Sequence, residues 1–273
     1  MRFSNKMFPF THSYILKRMY ELVGKTQEEI PLEVILGNAM PDFIINFDLR
    51  HNGEKRDHHI EVHDAVPSEE VCYYDLDLDL ERGFAVHVMA DNFSRVGSFW
   101  RSNGKGEGFA KSLEKEVDMC DLEINEKTST LARRIVQTII DFAVLEENYD
   151  DMIKMVRAGI YYLSDEKESI CSSVSEFTGL SLDHIHKRVD YMIERYGKEI
   201  HIHALKPIRA YSAIRVIDNH GQSQLTTDFV DMIEAHPIYP VVLANKGLAN
   251  NWKEQLDNTA KAILSSPIGK YVK

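Results

Sequence analysis

The chain has 273 residues, of which 44% are hydrophobic, so it can bury a sizeable core in one or two domains. Its net charge of -11, from 43 acidic and 32 basic residues, argues against nucleic-acid binding through phosphate contacts. The three cysteines, Cys72, Cys120 and Cys171, are too widely spaced for a disulfide framework or a CxxC zinc site. We therefore expect a protein of a reducing compartment, the cytoplasm.

We expect neither a secretion signal nor a membrane span. Residues 1–6 lack the apolar core of a signal peptide. No apolar run reaches the roughly 18 residues that a membrane-spanning helix needs. We expect no transmembrane segment and no nucleic-acid-binding patch.

The first predicted helix covers residues 11–23. Its apolar residues recur at helical spacing, Thr11 is a suitable N-cap, and Gly24 suits the position after the helix end. His12 lies in the first turn. It is either a metal ligand or a surface histidine near a helix cap.

A second, short apolar helix is predicted to end at Gly37, because Pro41 breaks a helix. Asp42 follows this break, where its carboxylate can turn back toward the other helices. The alternative is an ordinary turn aspartate after a proline.

The densest cluster of ligand-type side chains follows this helix. If the segment is extended, these side chains occupy both faces: His59, Glu61 and His63 on one, His58 and Asp64 on the other. Imidazoles suit zinc, iron, nickel or copper, and carboxylates add a preference for harder cations. We expect at least one of these histidines to bind a metal, and a solvated polar loop is the alternative.

Residues 83–93 predict a buried helix that carries two metal-capable side chains. His87 and Asp91 are four residues apart and project from the same face. A lone polar group buried there costs about 2–7 kcal/mol, so both side chains need partners. A shared cation would satisfy both, and a His–Asp hydrogen bond in the core is the simpler alternative. Arg95 lies one turn beyond Asp91.

The rest of the chain is predicted to be mainly helical. Gln137 and Asp141 are four residues apart in an apolar stretch, where Asp141 either contributes to a site or is solvated. We predict an all-α fold, a multi-helix bundle with a metal site in its core. It would form one mainly helical domain, with a metal-site half at 1–147 and a helical C-terminal half at 148–273. The later helices are predicted at 128–147, 150–163, 181–196, 225–235 and 248–264.

The order of the candidate ligands resembles the zinc-dependent phospholipase C family, which is related in fold to the P1-type nucleases. In that family, metal ligands come from an early histidine, a Gly-x-x-x-Pro-Asp stretch, a following histidine and a helical HxxxD pair. The resemblance covers roughly residues 10–100. The corresponding residues in this chain are His12, Asp42, one or more of His58, His59 and His63, and the pair His87 and Asp91.

The resemblance implies an all-α bundle and a divalent-metal site, with zinc favoured over iron, nickel or manganese. The family's complete site holds three zinc ions and uses a histidine soon after HxxxD, which residues 92–97 lack. It also uses a later HxxxE pair, where this chain offers only Gln137 and Asp141. The family's mature enzymes use an amine exposed by signal cleavage, and we expect no signal peptide here. We therefore expect one or two metal ions.

The expected function is that of a phospholipase C-like phosphoesterase, a metal-dependent hydrolase acting on a small phosphate ester. Glu61 or Asp64 is the candidate general base, and Arg95 is the candidate partner of the substrate phosphate. The dipeptide His63-Asp64 gives a weaker resemblance to HD-domain phosphohydrolases. A non-enzymatic metal-binding protein with a degenerate site is the third alternative.

Overall fold

A computed structural model describes residues 9–45, 79–96, 109–118, 128–202 and 238–272. Within these ranges the chain is helical and contains no strand, which confirms the all-α prediction. Short 3-10 helices lie at Gln27–Glu29, Lys246–Ala249 and Pro267–Tyr271. The α-helices are α1 (Pro9–Leu22), α2 (Leu32–Ile45), α3 (Asp79–Val96), α4 (Phe109–Glu116), α5 (Thr128–Asp165), α6 (Lys167–Thr178), α7 (Leu182–Ile202), α8 (Ile238–Asn245) and α9 (Trp252–Ser265).

Helix α5 is the long central element of the bundle. It contacts α1, α2, α4 and each helix that follows it in the chain. Helices α1, α2 and α3 lie together on one side, and α9 packs against α1 and α3. The core side chains are apolar and nearly inaccessible, as Leu16, Phe84 and Ile139 illustrate at 0% exposure each. Burial of this apolar surface is the main force that holds the helices together.

Helices α2 and α3 approach each other through two glycines. A Cβ atom added at Gly37 would lie 2.1 Å from the carbonyl oxygen of Leu80, and one added at Gly83 would lie 2.3 Å from that of Val34. Neither position has room for a side chain, because the obstructing atoms belong to the facing backbone. The two glycines therefore set the distance between these helices.

The predicted break at Pro41 is wrong, because α2 continues through it to Ile45. Pro41 removes one backbone N–H and so deprives the carbonyl of Gly37 of its helical donor. Burial offsets this loss: Met40 is only 1% exposed, and Pro41 is buried as well. Packing against α3 and α5 therefore overrides the local preference to stop, and Asp42 belongs to the helix instead of following it.

The predicted separation of helices 128–147 and 150–163 is confirmed, because two helical segments meet at a kink inside α5. Asn148 alone has non-helical dihedral angles inside α5, with φ -130° and ψ 30°. Its side-chain amide donates a hydrogen bond to the carbonyl of Val144 at 3.1 Å. Leu145 and Met152, on either side of the kink, are both 0% exposed, so both segments contribute to the core. The predicted boundary of the two halves falls at Asn148, and the single-domain assignment stays a prediction.

Helix α1 begins at Pro9, two residues before the predicted start, so Thr11 lies within the first turn and is not the N-cap. The predicted stop is confirmed, because Gly24 follows the helix end with a φ of 81°. The helices predicted at 83–93, 181–196 and 248–264 correspond to α3, α7 and α9. The helix predicted at 225–235 lies outside the described residues. None of the described helices is long and apolar enough to span a membrane.

Candidate functional site

Two histidines from distant parts of the sequence meet in the core. His12 of α1 and His87 of α3 are 1% and 0% exposed. Their rings stack with centroids 3.8 Å apart and planes inclined by only 13°. The apolar pattern of α3 predicted that His87 is buried, whereas the sequence left His12 open between a metal ligand and a surface histidine. The bundle brings the two rings face to face.

A backbone carbonyl fixes the protonation pattern of His87. Nδ1 of His87 lies 2.8 Å from the carbonyl oxygen of Asn38 in α2. Because a carbonyl oxygen only accepts, Nδ1 carries the proton and donates it. In the neutral ring, the lone pair is then on Nε2, the arrangement that metal-binding histidines adopt when a carbonyl orients them.

The stacking also limits the charge of the pair. Two imidazolium ions at this separation would repel each other by roughly 4 kcal/mol at an effective dielectric constant of about 20. The arrangement therefore favours at least one neutral ring. A neutral imidazole is the form that binds a metal ion.

A buried carboxylate lies at the start of the helix that carries His12. Asp141 of α5 is 1% exposed, and its Oδ1 accepts two hydrogen bonds from Thr11, from the backbone N–H at 2.8 Å and from the hydroxyl at 2.9 Å. The position of Asp141 is therefore buried, and the solvated alternative from the sequence does not apply. Gln137, one turn earlier in α5, is also buried, at 8% exposure.

The other end of α1 is held by a charged pair. Nε of Arg18 donates to Oδ1 of Asp257 in α9 at 2.8 Å, and Nη2 donates to Oδ2 at 3.0 Å. Nearby, burial raises the pKa of Tyr14 to about 12, and the negative charge of Asp257 adds to this increase. Helix α1 is thus anchored to α5 near its first residues and to α9 farther along.

Most of the predicted site residues lie where their side chains are not described. Asp42, Asp91 and Arg95 belong to helices α2 and α3 by their backbone, but their side chains lie outside the described set. The segment with the remaining predicted residues lies entirely outside the described ranges: His58, His59, Glu61, His63 and Asp64. The structure therefore brings together His12 and His87 from the predicted set.

Among the described residues, no group of three or more His, Cys, Asp or Glu side chains is arranged to hold a metal ion. The predicted metal site in the bundle core stays a prediction.

Two partners of the site were not predicted from the sequence. The backbone carbonyl of Asn38 has no residue-type signal, because every residue has a carbonyl. The Thr11–Asp141 contact had a partial signal, since a carboxylate in the apolar stretch of α5 needs a buried partner. Comparisons with protein-family models, curated proteins and solved structures find no match for this chain.

Proposed function

We propose that the protein is a metal-dependent hydrolase that acts on a phosphate ester. The observation that carries this proposal is the buried stack of His12 and His87, with the Nδ1 proton of His87 held by the carbonyl of Asn38. A neutral imidazole whose Nδ1 proton is held by a carbonyl has its lone pair on Nε2, and this is the type of donor that a divalent cation binds. Zinc fits such donors best, with iron, nickel or manganese as further candidates for one or two ions.

The donor chemistry around the pair fits a cation. The side-chain oxygen Oδ1 of Asn38 is buried and accepts no hydrogen bond from the residues that the structure describes. An acceptor suited to a metal-bound water therefore lies on the same residue that orients His87. His12 and His87 would hold the ion by their ring nitrogens. The proposal adds Asp42, Asp91 and one or more of the histidines at 58–63, as the phospholipase C resemblance implies.

A bound divalent ion would lower the pKa of a water molecule toward about 7 and polarise a phosphoryl oxygen. Glu61 or Asp64 would accept the proton of the attacking water. Arg95 would pair with the phosphate of the substrate through charge-assisted hydrogen bonds.

The first experiment measures the metal content of the purified protein and its zinc affinity by chelator competition. We expect one or two equivalents in the wild type and a loss in His12→Gln and His87→Gln. His186→Gln is the matched control, because His186 lies on α7, away from the stacked pair, with its Nε2 3.4 Å from Oε2 of Glu168. Equal metal content in all four proteins would reject the proposed site.

The second experiment tests turnover with a panel of phosphomonoesters and phosphodiesters, including a phosphocholine ester. Hydrolysis that disappears in His87→Gln would support the enzyme. Stoichiometric metal without turnover of any ester would favour the non-enzymatic metal-binding protein. The presence of Gln137 and Asp141 at the spacing of the family's HxxxE pair is the feature that keeps this second candidate open.

A further inference from the structure

The bond between Asp141 and Thr11 joins the centre of the bundle to the first turn of α1. Both residues are buried, at 1% and 2% exposure, and they are 130 positions apart in the sequence. A single carboxylate oxygen, Oδ1, accepts both hydrogen bonds, at 2.8 and 2.9 Å. The contact is therefore a specific attachment of one helix to another.

The chemistry of a helix start explains why a carboxylate occupies this place. Thr11 is the third residue of α1, so its N–H has no acceptor within the helix. The partial positive charge at a helix start favours a negative group there. A carboxylate that accepts from an N–H and a hydroxyl forms charge-assisted bonds, which are about twice as strong as neutral ones.

The attachment lies one residue from His12. The ring of His12 stacks on His87, which is itself held by the carbonyl of Asn38. Thus His87 is oriented directly from α2, and the backbone that carries His12 is fixed from α5. A shift of the first turn of α1 would move the His12 ring relative to its partner.

We propose that Asp141 is a positioning residue for His12. By holding the N–H and hydroxyl of Thr11, it fixes the first turn of α1 so that the two imidazoles remain stacked. The expected effect on metal binding rests on the proposed function, whereas the effect on the stacking does not.

The test compares Thr11→Val, Asp141→Ala and Asp141→Asn with the wild type. Thr11→Val removes the hydroxyl donor alone, and Asp141→Asn retains an acceptor without the charge. Asp257→Asn is the matched control, because Asp257 also accepts from a side chain of α1, that of Arg18, but at the other end of the helix.

The first readout is NMR of the imidazole C–H protons in metal-free protein, because stacked rings displace each other's resonances. We expect Asp141→Ala and Thr11→Val to lose this displacement, Asp141→Asn to lose part of it, and Asp257→Asn to keep it. The second readout is zinc affinity by chelator competition. Loss of a group that orients a metal-binding histidine weakens binding about 10–100-fold.

The outcomes separate the two proposals. If Asp141→Ala and Thr11→Val only lower the melting temperature, as Asp257→Asn does, and leave the imidazole resonances in place, the positioning role is rejected. If the wild type binds no zinc but the resonances change as expected, the metal function fails and the positioning role stands. If Asp141→Ala does not fold, Thr11→Val decides by the same criteria, since it removes one hydroxyl group.

Discussion

Gly83 is the position where a single methyl group tests the packing of α2 against α3. Its added Cβ would lie 2.3 Å from the carbonyl oxygen of Val34, 2.7 Å from the nitrogen of Asn38 and 2.9 Å from the carbonyl carbon of Gly37. All three are backbone atoms, so no side-chain rotation relieves the clash. The helices must move apart by roughly 1 Å to restore ordinary contact at about 3.5 Å.

Two effects of Gly83→Ala oppose each other. Alanine is favoured over glycine inside a helix by about 1 kcal/mol. Overpacking a close contact typically costs about 1–3 kcal/mol, and more when backbone must shift. Here the separation also weakens the packing of Phe84, which is 0% exposed, so we expect the clash to dominate. The expected net loss is about 2 kcal/mol in the free energy of unfolding, and the melting temperature falls by about 4–8 °C.

The assay is guanidinium and thermal denaturation followed by circular dichroism. Gly159→Ala is the matched control, because Gly159 is also inside a helix, and its added Cβ would meet only the Cγ2 atom of Ile35, at 3.4 Å. We expect this control to be unchanged or more stable by up to about 1 kcal/mol. A Gly83→Ala protein as stable as the wild type would refute the proposed close approach of the two helices.

Two further predictions concern hydrogen bonding and pH. Asn245 accepts from the N–H of Asp118 at 3.1 Å and donates to the carbonyl of Asp118 at 3.2 Å, so Asn245→Ala should lower the free energy of unfolding by about 1–3 kcal/mol. Denaturant melts measure this loss, and the exposed Asn250→Ala should show none. Burial raises the pKa of Tyr14 and Tyr20 from 10.0 to about 12. The unfolded chain loses these two protons at lower pH than the folded chain does. The contribution of the two neutral tyrosines to the free energy of unfolding is therefore fully present below pH 10 and is lost as the pH rises toward 12. Absorbance at about 295 nm follows the deprotonation of tyrosine, and the part of the change that occurs above pH 10 should be smaller in Tyr14→Phe. A free energy of unfolding that does not change across this pH range would contradict the shift.

Local chemistry was enough to predict most of the helices. The apolar spacing of α1 and α9 repeats every three to four residues, and such a face must be buried. The end of α1 follows from Gly24, because its φ of 81° is open to glycine at little cost. The inward orientation of His87 also followed from its sequence, since its neighbours in α3 are apolar nearly all round.

Tertiary packing decided the elements where local and long-range preferences conflict. Pro41 alone favours a helix end, but burial of Met40 against the neighbouring helices keeps α2 intact to Ile45. Here the free energy of burying several side chains exceeds the cost of one disturbed turn.

For the candidate site, too, the sequence predicted some features and the tertiary structure decided the others. The sequence by itself placed His12, His87 and Asp141 on predicted helices, and the apolar neighbours of His87 predicted that it is buried. Only the bundle decided that the two rings stack at 3.8 Å and that Asp141 holds Thr11. The physical reason is that a helical pattern specifies which face is buried but not which residues face it across the core. That pairing depends on helix separation and crossing, which the side chains of all the packed helices set together.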